Sequence, residues 1–503
     1  MKLKKFIDEL PIMQTIKKQG SYLEMRMEEF RQKLHRDLKP TRLWGYNNQF
    51  PGPTIEVNEG EELHIKWENH LPDNHLLPVD KSIHHIANHP EVRTVTHVHG
   101  SVTKPENDGY PEAWFSRNFK EVGPEFLHQV YSYPNKQRAA TLWYHDHAMG
   151  ITRLNVYAGL AGMYIIRGKQ EKRLNIPKDE YEIPLILMDK TINNDGSLFY
   201  PVGPENPPAN LPIPSILPAF TGDKILVNGK IWPYLNVEPR KYRFRILNAS
   251  NTRTYTLSLE SGDPMYQIGS DGGLLSKTVV ARSITMEPAE RIDVIIDFRK
   301  YQGKSLILRN DLGSINTPED ETGDIMQFNV RLPLKGKDST IIPKHLSSIP
   351  SLKDKPISAI RNLKLVGASD DFGRPLLLLD NKYWDDPISE TPKLGSTEIW
   401  SIINVTGFTH PIHLHLVQFQ VLDRTPFNLE KFNQDGSIVY TGSAVKPKPN
   451  ERGWKDTIAA PSAQITRLIA TFSPYAGKFV WHCHILEHED YDMMRPFLIQ
   501  KRD

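Results

Sequence analysis

Phe479-Val480-Trp481-His482-Cys483-His484-Ile485-Leu486-Glu487-His488 is an apolar, β-prone run that holds the chain's only cysteine between two histidines. Side chains on a strand alternate between faces, so His482 and His484 point one way and Cys483 the other. One strand thereby offers a thiolate to one site and two imidazoles to a second site behind it. His488 follows shortly after the cysteine, and Met493 lies a little further on. A thiolate, imidazoles and a more distant thioether are the soft donors of an electron-transfer copper centre. The stretch therefore predicts a copper-bearing strand in a β fold, if the rest of the chain supplies the missing imidazoles.

It does. The chain has 19 histidines, and ten of them fall in four short clusters. His97-Val98-His99 and His145-Asp146-His147 are His-x-His pairs on strand-like sequence, which places each pair on one face. His410-Pro411-Ile412-His413-Leu414-His415 adds three, and His482, His484 and His488 complete the set. Paired imidazoles suit copper, zinc, iron or nickel. A structural zinc site commonly uses paired cysteines, which a single cysteine cannot supply. A lone buried cysteine would otherwise be inert core; four histidine clusters, with Cys483 inside the last, argue for a metal.

Length and composition agree with a β protein. A chain of 503 residues exceeds one core and suggests about three domains. The 39 Pro and 31 Gly are spread throughout, as many short strands and turns require. Lys plus Arg total 62 and Asp plus Glu 60, a net charge of +2, which leaves no electrostatic footprint for nucleic acid or an anionic membrane. One cysteine excludes an intramolecular disulfide and points to assembly in a reducing compartment. The N-terminus lacks the apolar core of a secretory signal, so synthesis in the cytoplasm without a signal peptide is expected. No run approaches the roughly 18 apolar residues of a membrane span.

A repeat organises the chain. Asn47 to Val57 leads into the alternating strand Leu63 to Asn69; Val227 to Val237 leads into Tyr242 to Asn248; Asp380 to Trp384 leads into Ile399 to Asn404. Each copy has an Asn-containing turn and an aromatic before a period-two strand that ends in Asn, which reads as tandem duplication of a β domain. The boundaries expected from composition are residues 1–168, 177–332, a linker at 333–360, and 361–503. Gly168 to Pro177 reads as a charged linker, and Pro201 to Pro218 and Thr441 to Trp454 as surface loops. In Ser21 to His35, composition favours a helix while alternation of Leu23, Met25 and Met27 favours a strand; both remain open. Asn248-Ala249-Ser250 and Asn404-Val405-Thr406 match glycosylation sequons but read as strand ends. His84, His85 and His89 read as solvated loop histidines rather than an extra copper site.

The four clusters and the triple repeat resemble the multicopper oxidases of the laccase type over nearly the whole chain. Within that family, His410-Pro-Ile-His-Leu-His415 and His482-Cys-His-Ile-Leu-Glu-His-Glu-Asp-Tyr-Asp-Met-Met-Arg-Pro496 are most similar to the spore coat protein A laccases. The resemblance implies an all-β fold of three tandem cupredoxin-like Greek-key domains holding four copper ions. It implies that His410, Cys483, His488 and axial Met493 bind a type 1 copper. His97 and His413 would bind a type 2 copper, and His99, His145, His147, His415, His482 and His484 the type 3 pair. Because motifs of the first and third units must meet, the three-copper cluster is expected between them, with the second unit as spacer and substrate rim. Dioxygen reduction consumes protons, and Glu489 and Asp108 match acids that relay them in the family.

The implied reaction is one-electron oxidation of phenols or aromatic amines at an exposed type 1 histidine, His488, coupled to reduction of dioxygen to water. Oxidation of cuprous or manganese ions or of bilirubin, or a structural spore-coat role beside other coat proteins, are the alternatives. Twelve Met and no Met-rich insert argue against a cuprous oxidase, and the full set of four clusters against a two-domain nitrite reductase. Two departures from the pattern bear on substrate. No middle-domain disulfide can form, and Gly407-Phe408-Thr409 precedes His410 where related coat laccases carry a charged residue.

Overall fold

In a computed structural model, residues 3–17, 20–83, 85–310 and 321–501 are described. Their strands form six sheets, two in each third of the chain. In the first third, Thr15–Lys17, Gly52–Asn58, Ala161–Arg167, Ala140–Asp146 and Thr96–His99 lie side by side in that order; Thr41–Tyr46, Tyr22–Gln32, Leu63–Asn69 and Val130–Tyr133 form the second sheet. The two sheets close on Tyr46, Trp67 and Tyr144, whose ring centroids lie 4.9–5.5 Å apart. The middle third closes on Phe244 against Phe328 at 5.2 Å, and the last third on Trp400 against Trp481 at 5.4 Å. Aromatic pairs at these separations fill the roughly 10 Å between stacked sheets.

The ambiguous segment near the N-terminus is the strand Tyr22–Gln32, in which Met25 and Met27 are fully buried. Alternation outweighs helical composition there because one face of the strand packs on the core.

The threefold repeat is physical. In each copy the chain turns through left-handed backbone at Asn or Asp: Asn47 and Asn48, then Asn228, then Asp380 and Asn381, which are residue types that tolerate this conformation. The strand that follows pairs in parallel with an earlier one: Leu63–Asn69 with Tyr22–Gln32, Lys241–Asn248 with Glu182–Ile192, and Thr397–Asn404 with Ile357–Ser369. Each closing asparagine is buried and makes the same turn. The Oδ1 atoms of Asn69, Asn248 and Asn404 accept from the N–H two residues on, at 3.0, 3.1 and 2.9 Å. Two of the three are the sequons, so these asparagines serve the backbone.

The stretch after Gly168 is more than a linker. It forms the short helix Lys169–Arg173, and its buried Glu171 accepts from Arg243 and Arg245, both at 2.7 Å. Glu171 thus docks the first third against the middle third, while Lys169, Lys172 and Arg173 stay exposed.

Candidate metal centres

The strand Gly477–Cys483 runs beside His410–Leu414, with Ile412 opposite Cys483 and His413 opposite His482. His488 sits on the single helical turn Leu486–Glu489. Cys483 Sγ lies 3.5 Å from Nδ1 of both His410 and His488, and the three donor atoms lie within 4.8 Å of one another. Met493 is buried in the same apolar cluster as Cys483, among Trp400, Phe479, Trp481 and Phe497. Its N–H bonds the His488 carbonyl and its carbonyl takes the Cys483 N–H, each at 3.0 Å. Burial pushes the Cys483 thiol well up and the His410 imidazole well down, and brings His488 to about 3. Two neutral imidazoles and a thiol that ionises only beside positive charge are a soft cation's donor set.

Expectation and structure part at the surface. His410 is fully buried and His488 keeps 3% of its surface, far less than an exposed histidine would. The nitrogen that His410 turns away from Cys483 is taken within the chain, Nε2 by Thr406 Oγ1 at 2.8 Å.

The other eight clustered histidines converge behind this strand. His97 lies opposite His145 on the paired strands Thr96–His99 and Ala140–Asp146; these face the 413/482 pair across the junction of the first and last thirds. Three groups of ligand atoms lie within 4.8 Å: His97, His99 and His413; His99, His145 and His484; His147, His415 and His482. Rings stack between the thirds, His99 on His413 at 3.6 Å and His97 on His415 at 3.8 Å.

Hydrogen bonds decide which nitrogen each ring offers. The Nδ1 atoms of His97, His145 and His413 bond the carbonyls of Asp108, Asp146 and Asp456 at 2.5, 2.8 and 2.8 Å. His415 Nδ1 bonds Asp108 Oδ2 at 2.7 Å and His482 Nδ1 the Cys483 carbonyl at 3.0 Å. Because Nδ1 donates in each, Nε2 is a bare lone pair. The Nε2 atoms of His147 and His415 each lie 3.3 Å from that of His482. Nε2 of His97, His145 and His413, Nδ1 of His99 and both nitrogens of His484 have no hydrogen-bond partner. So many buried lone pairs aimed at one another are costly without a cation, and outer bonds that set the tautomer are what metal-ligating histidines have. The donor set fits bound metal at both centres.

Both expected acids touch this cluster. Glu489 Oε2 lies 3.1 Å from His482 Nδ1 and Oε1 3.5 Å from His147 Nδ1; burial pushes Glu489 up to about 7 and Asp108 well above the usual carboxylate range. Gly109 lets the Asp108 loop approach: its φ is +76°, and a Cβ there would meet the Thr96 carbonyl oxygen at 2.5 Å.

A third acid has no signal in the motifs. Asp456 Oδ1 bonds His99 Nε2 at 3.0 Å, while its carbonyl holds His413. Asp456 is held in turn by Arg291, at 2.7 Å through Nη1 and 2.5 Å through Nη2. Arg291 comes from the middle third, on Arg291–Asp297. The unit expected to be a spacer thus braces the cluster. Of the remaining loop histidines, His84 lies outside the described residues, His85 pairs with Asp385 at 3.3 Å, and His89 packs on Trp114 at 5.0 Å.

Comparison with known proteins meets this geometry at both ends of the chain. The multicopper oxidase family models match residues 31–84 and 79–171, and 361–503. A laccase of Bacillus subtilis is 59% identical over 505 residues, covering 99% of this chain and 98% of its own. The chain belongs to the multicopper oxidase family. A laccase of Bacillus stratosphericus is 55% identical, covering 99% of each chain. The solved structure of a Pediococcus acidilactici laccase superposes with a TM-score of 0.79 at 29% identity, covering 100% of this chain and 95% of the other. This multicopper oxidase is therefore a copper-dependent oxidoreductase with cupredoxin-like domains, and the histidine groups are its candidate copper sites. No helix among the described residues is long and apolar enough to cross a membrane.

Proposed function

We propose that this multicopper oxidase is a laccase that takes single electrons from phenols or aromatic amines at the Cys483 site and passes four to dioxygen at the histidine cluster. His410, Cys483 and His488, with Met493 as a further soft donor, would hold the type 1 copper, and His97 and His413 the type 2 copper. His99, His145 and His484 would hold one type 3 copper and His147, His415 and His482 the other, four copper ions in all. When bound, copper at the first site accepts the donor's electrons and copper at the cluster reduces dioxygen to water.

One observation carries this reading: His482, Cys483 and His484 are consecutive, so one covalent segment joins the two centres. Cys483 faces the apolar core of the last third, and its neighbours face the first third. The chain's other groups follow from their contacts. Asp108 and Glu489 each touch cluster imidazoles and are held towards their protonated forms, which suits them to move protons to reduced oxygen. Asp456 and Arg291 hold His99 and His413 in one tautomer and orientation.

The division at 1–168, 177–332 and 361–503, with a linker at 333–360, belongs to the same proposal, as does a place among spore-coat proteins, supported by the coat-laccase likeness of the last two motifs. Purification with copper tests the function. An intense blue colour and oxygen uptake with a simple phenol are expected; a colourless, fully copper-loaded protein, or colour that survives Cys483→Ser, overturns it.

A further inference from the structure

We propose that Arg374, held between Asp80 and Asp370, positions the loop that carries His488 and Met493, so that the donor set at Cys483 depends on the docking of all three thirds of the chain. This rests on the reading of the Cys483 site as a copper centre and adds what keeps its last two donors in place.

Arg374 closes a tight turn. Ser369-Asp370-Asp371-Phe372-Gly373-Arg374-Pro375 joins two antiparallel strands, Ile357–Ser369 and Pro375–Leu379. The turn is stiffened by its own hydrogen bonds: Asp370 Oδ1 accepts from the N–H groups of Phe372 and Arg374 at 3.0 and 2.8 Å. Gly373 supplies the left-handed residue, at φ +77°.

From this turn Arg374 reaches out of the last third. Its Nε donates to Asp370 Oδ2 at 2.7 Å, and its Nη1 to Asp80 Oδ2 of the first third at 2.7 Å. The same Nη1 lies 3.0 Å from Ser82 Oγ and 3.2 Å from Ser215 Oγ of the middle third. Asp80 Oδ2 also accepts the Ile216 N–H at 2.8 Å. Asp80, Ser215 and Arg374 are all buried, so the three thirds meet at one guanidinium with water largely excluded. Its planar fork fixes directions that a lysine ammonium would not.

The other side of this junction faces the metal ligands. The buried Tyr491 donates its hydroxyl to Asp370 Oδ2, the oxygen that Arg374 Nε also holds. The guanidinium lies 5.2 Å from the Tyr491 ring centroid. Tyr491 stands between His488 and Met493 in sequence. Its N–H donates to the His488 carbonyl at 3.1 Å, and that of Met493 does so at 3.0 Å. Beyond Met493 the segment is tied again, by Arg495, which donates to the carbonyls of Trp384, Asp386 and Pro387 at 3.0, 3.0 and 2.7 Å.

His410 and Cys483 lie on paired strands, whereas His488 lies on a single helical turn and Met493 follows it on the same loop. Their place therefore depends on what grips that loop. The grip runs from Asp80 and Ser215 through Arg374 and Asp370 to the Tyr491 hydroxyl. Arg374 touches no ligand and is a positioning residue. Its removal would leave Asp80 buried without its ion pair and Tyr491 without the carboxylate that Arg374 orients.

Because Cys483 is the only cysteine, a thiol reagent reads this site alone. In the copper-free full chain, a small aromatic disulfide should modify Cys483 about tenfold faster in Arg374→Met than in wild type. Tyr491→Phe should give about a threefold rise, as the loop opens more often. It should add nothing in the Arg374→Met background, since both act through Asp370. In the copper-loaded proteins, loss of the blue copper to a chelator should quicken in the same order. The blue band and its electron-spin-resonance splitting should shift, while copper leaves the histidine cluster at the wild-type rate.

Wild-type thiol rates with an unmoved blue band in both variants overturn the proposal. So does a lowered melting temperature with those two readouts unchanged, which would mark Arg374 as a bridge for stability alone. Should Arg374→Met not fold, Tyr491→Phe and Asp80→Asn, which remove one hydroxyl or one charge, decide by the same readouts. If copper-loaded wild type shows no blue band, the copper-centre reading falls, and the thiol rates of the copper-free proteins still decide the role of Arg374.

Discussion

The two candidate copper centres share one strand and are built in opposite ways. The Cys483 centre draws every donor from residues 410–493, sits in an apolar cluster with Trp400, Trp481 and Phe497, and is closed over by its own loop. The histidine centre takes four imidazoles from residues 97–147 and four from residues 413–484, and nearly every ring is oriented by a carbonyl or carboxylate. The contrast follows from their tasks. A centre that only gains and loses an electron is served by exclusion of water and by soft donors, which leave its surroundings little to rearrange. A centre where oxygen becomes water needs protons, and hence ordered acids within reach.

The sharpest way to break the contrast is to sever the link. Cys483→Ser should abolish the blue colour and cut phenol-driven oxygen uptake by at least about a thousandfold, while the eight-histidine cluster keeps its copper by metal analysis. Uptake that persists would mean electrons reach the cluster without Cys483. Removing an acid should touch only the oxygen side. Glu489→Leu is expected to slow turnover about a hundredfold with copper content full and the blue band unmoved, and Asp108→Ala to do the same less severely; wild-type oxygen uptake in either variant would take that acid out of the mechanism.

A smaller effect should follow from the brace behind the cluster. Asp456→Ala leaves His99 Nε2 only Thr457 Oγ1, at 3.1 Å, and removes one of the two carboxylates beside the buried Arg291 guanidinium, so copper affinity at the cluster should fall about tenfold or more. Titration with a chelator would read this as early loss of cluster copper, with the Cys483 colour lost last. Simultaneous loss of both would show that the two centres are not independently held.

The smallest expected effect lies away from both centres. At the junction of the first and middle thirds, burial pushes the Glu171 carboxyl up, but the Arg245 and Arg243 guanidiniums more than offset this and hold it down at about 2. A carboxyl lowered on folding stabilises the fold above its unfolded pKa, near 4.5, and that contribution is lost as pH falls towards 2. The melting temperature should therefore drop through that window, and Arg245→Met should lower it at neutral pH and flatten the acid dependence. An acid profile identical to wild type would remove this cluster from the account.

Much of this molecule is legible residue by residue. The alternation that separates Cys483 from His482 and His484 is a property of any strand, so two centres back to back follow from ten consecutive residues. The Asn that ends each repeat, and the His-x-His pairs, are equally local, because side-chain direction and turn conformation depend on near neighbours. What the tertiary structure alone decides lies between residues far apart in sequence. Asp456 bonds His99 across 357 positions, Arg291 reaches Asp456 from the middle third, and Glu171 leaves its apparent linker to meet Arg243 and Arg245. Such partners have no spacing rule, since they are set by how finished sheets dock.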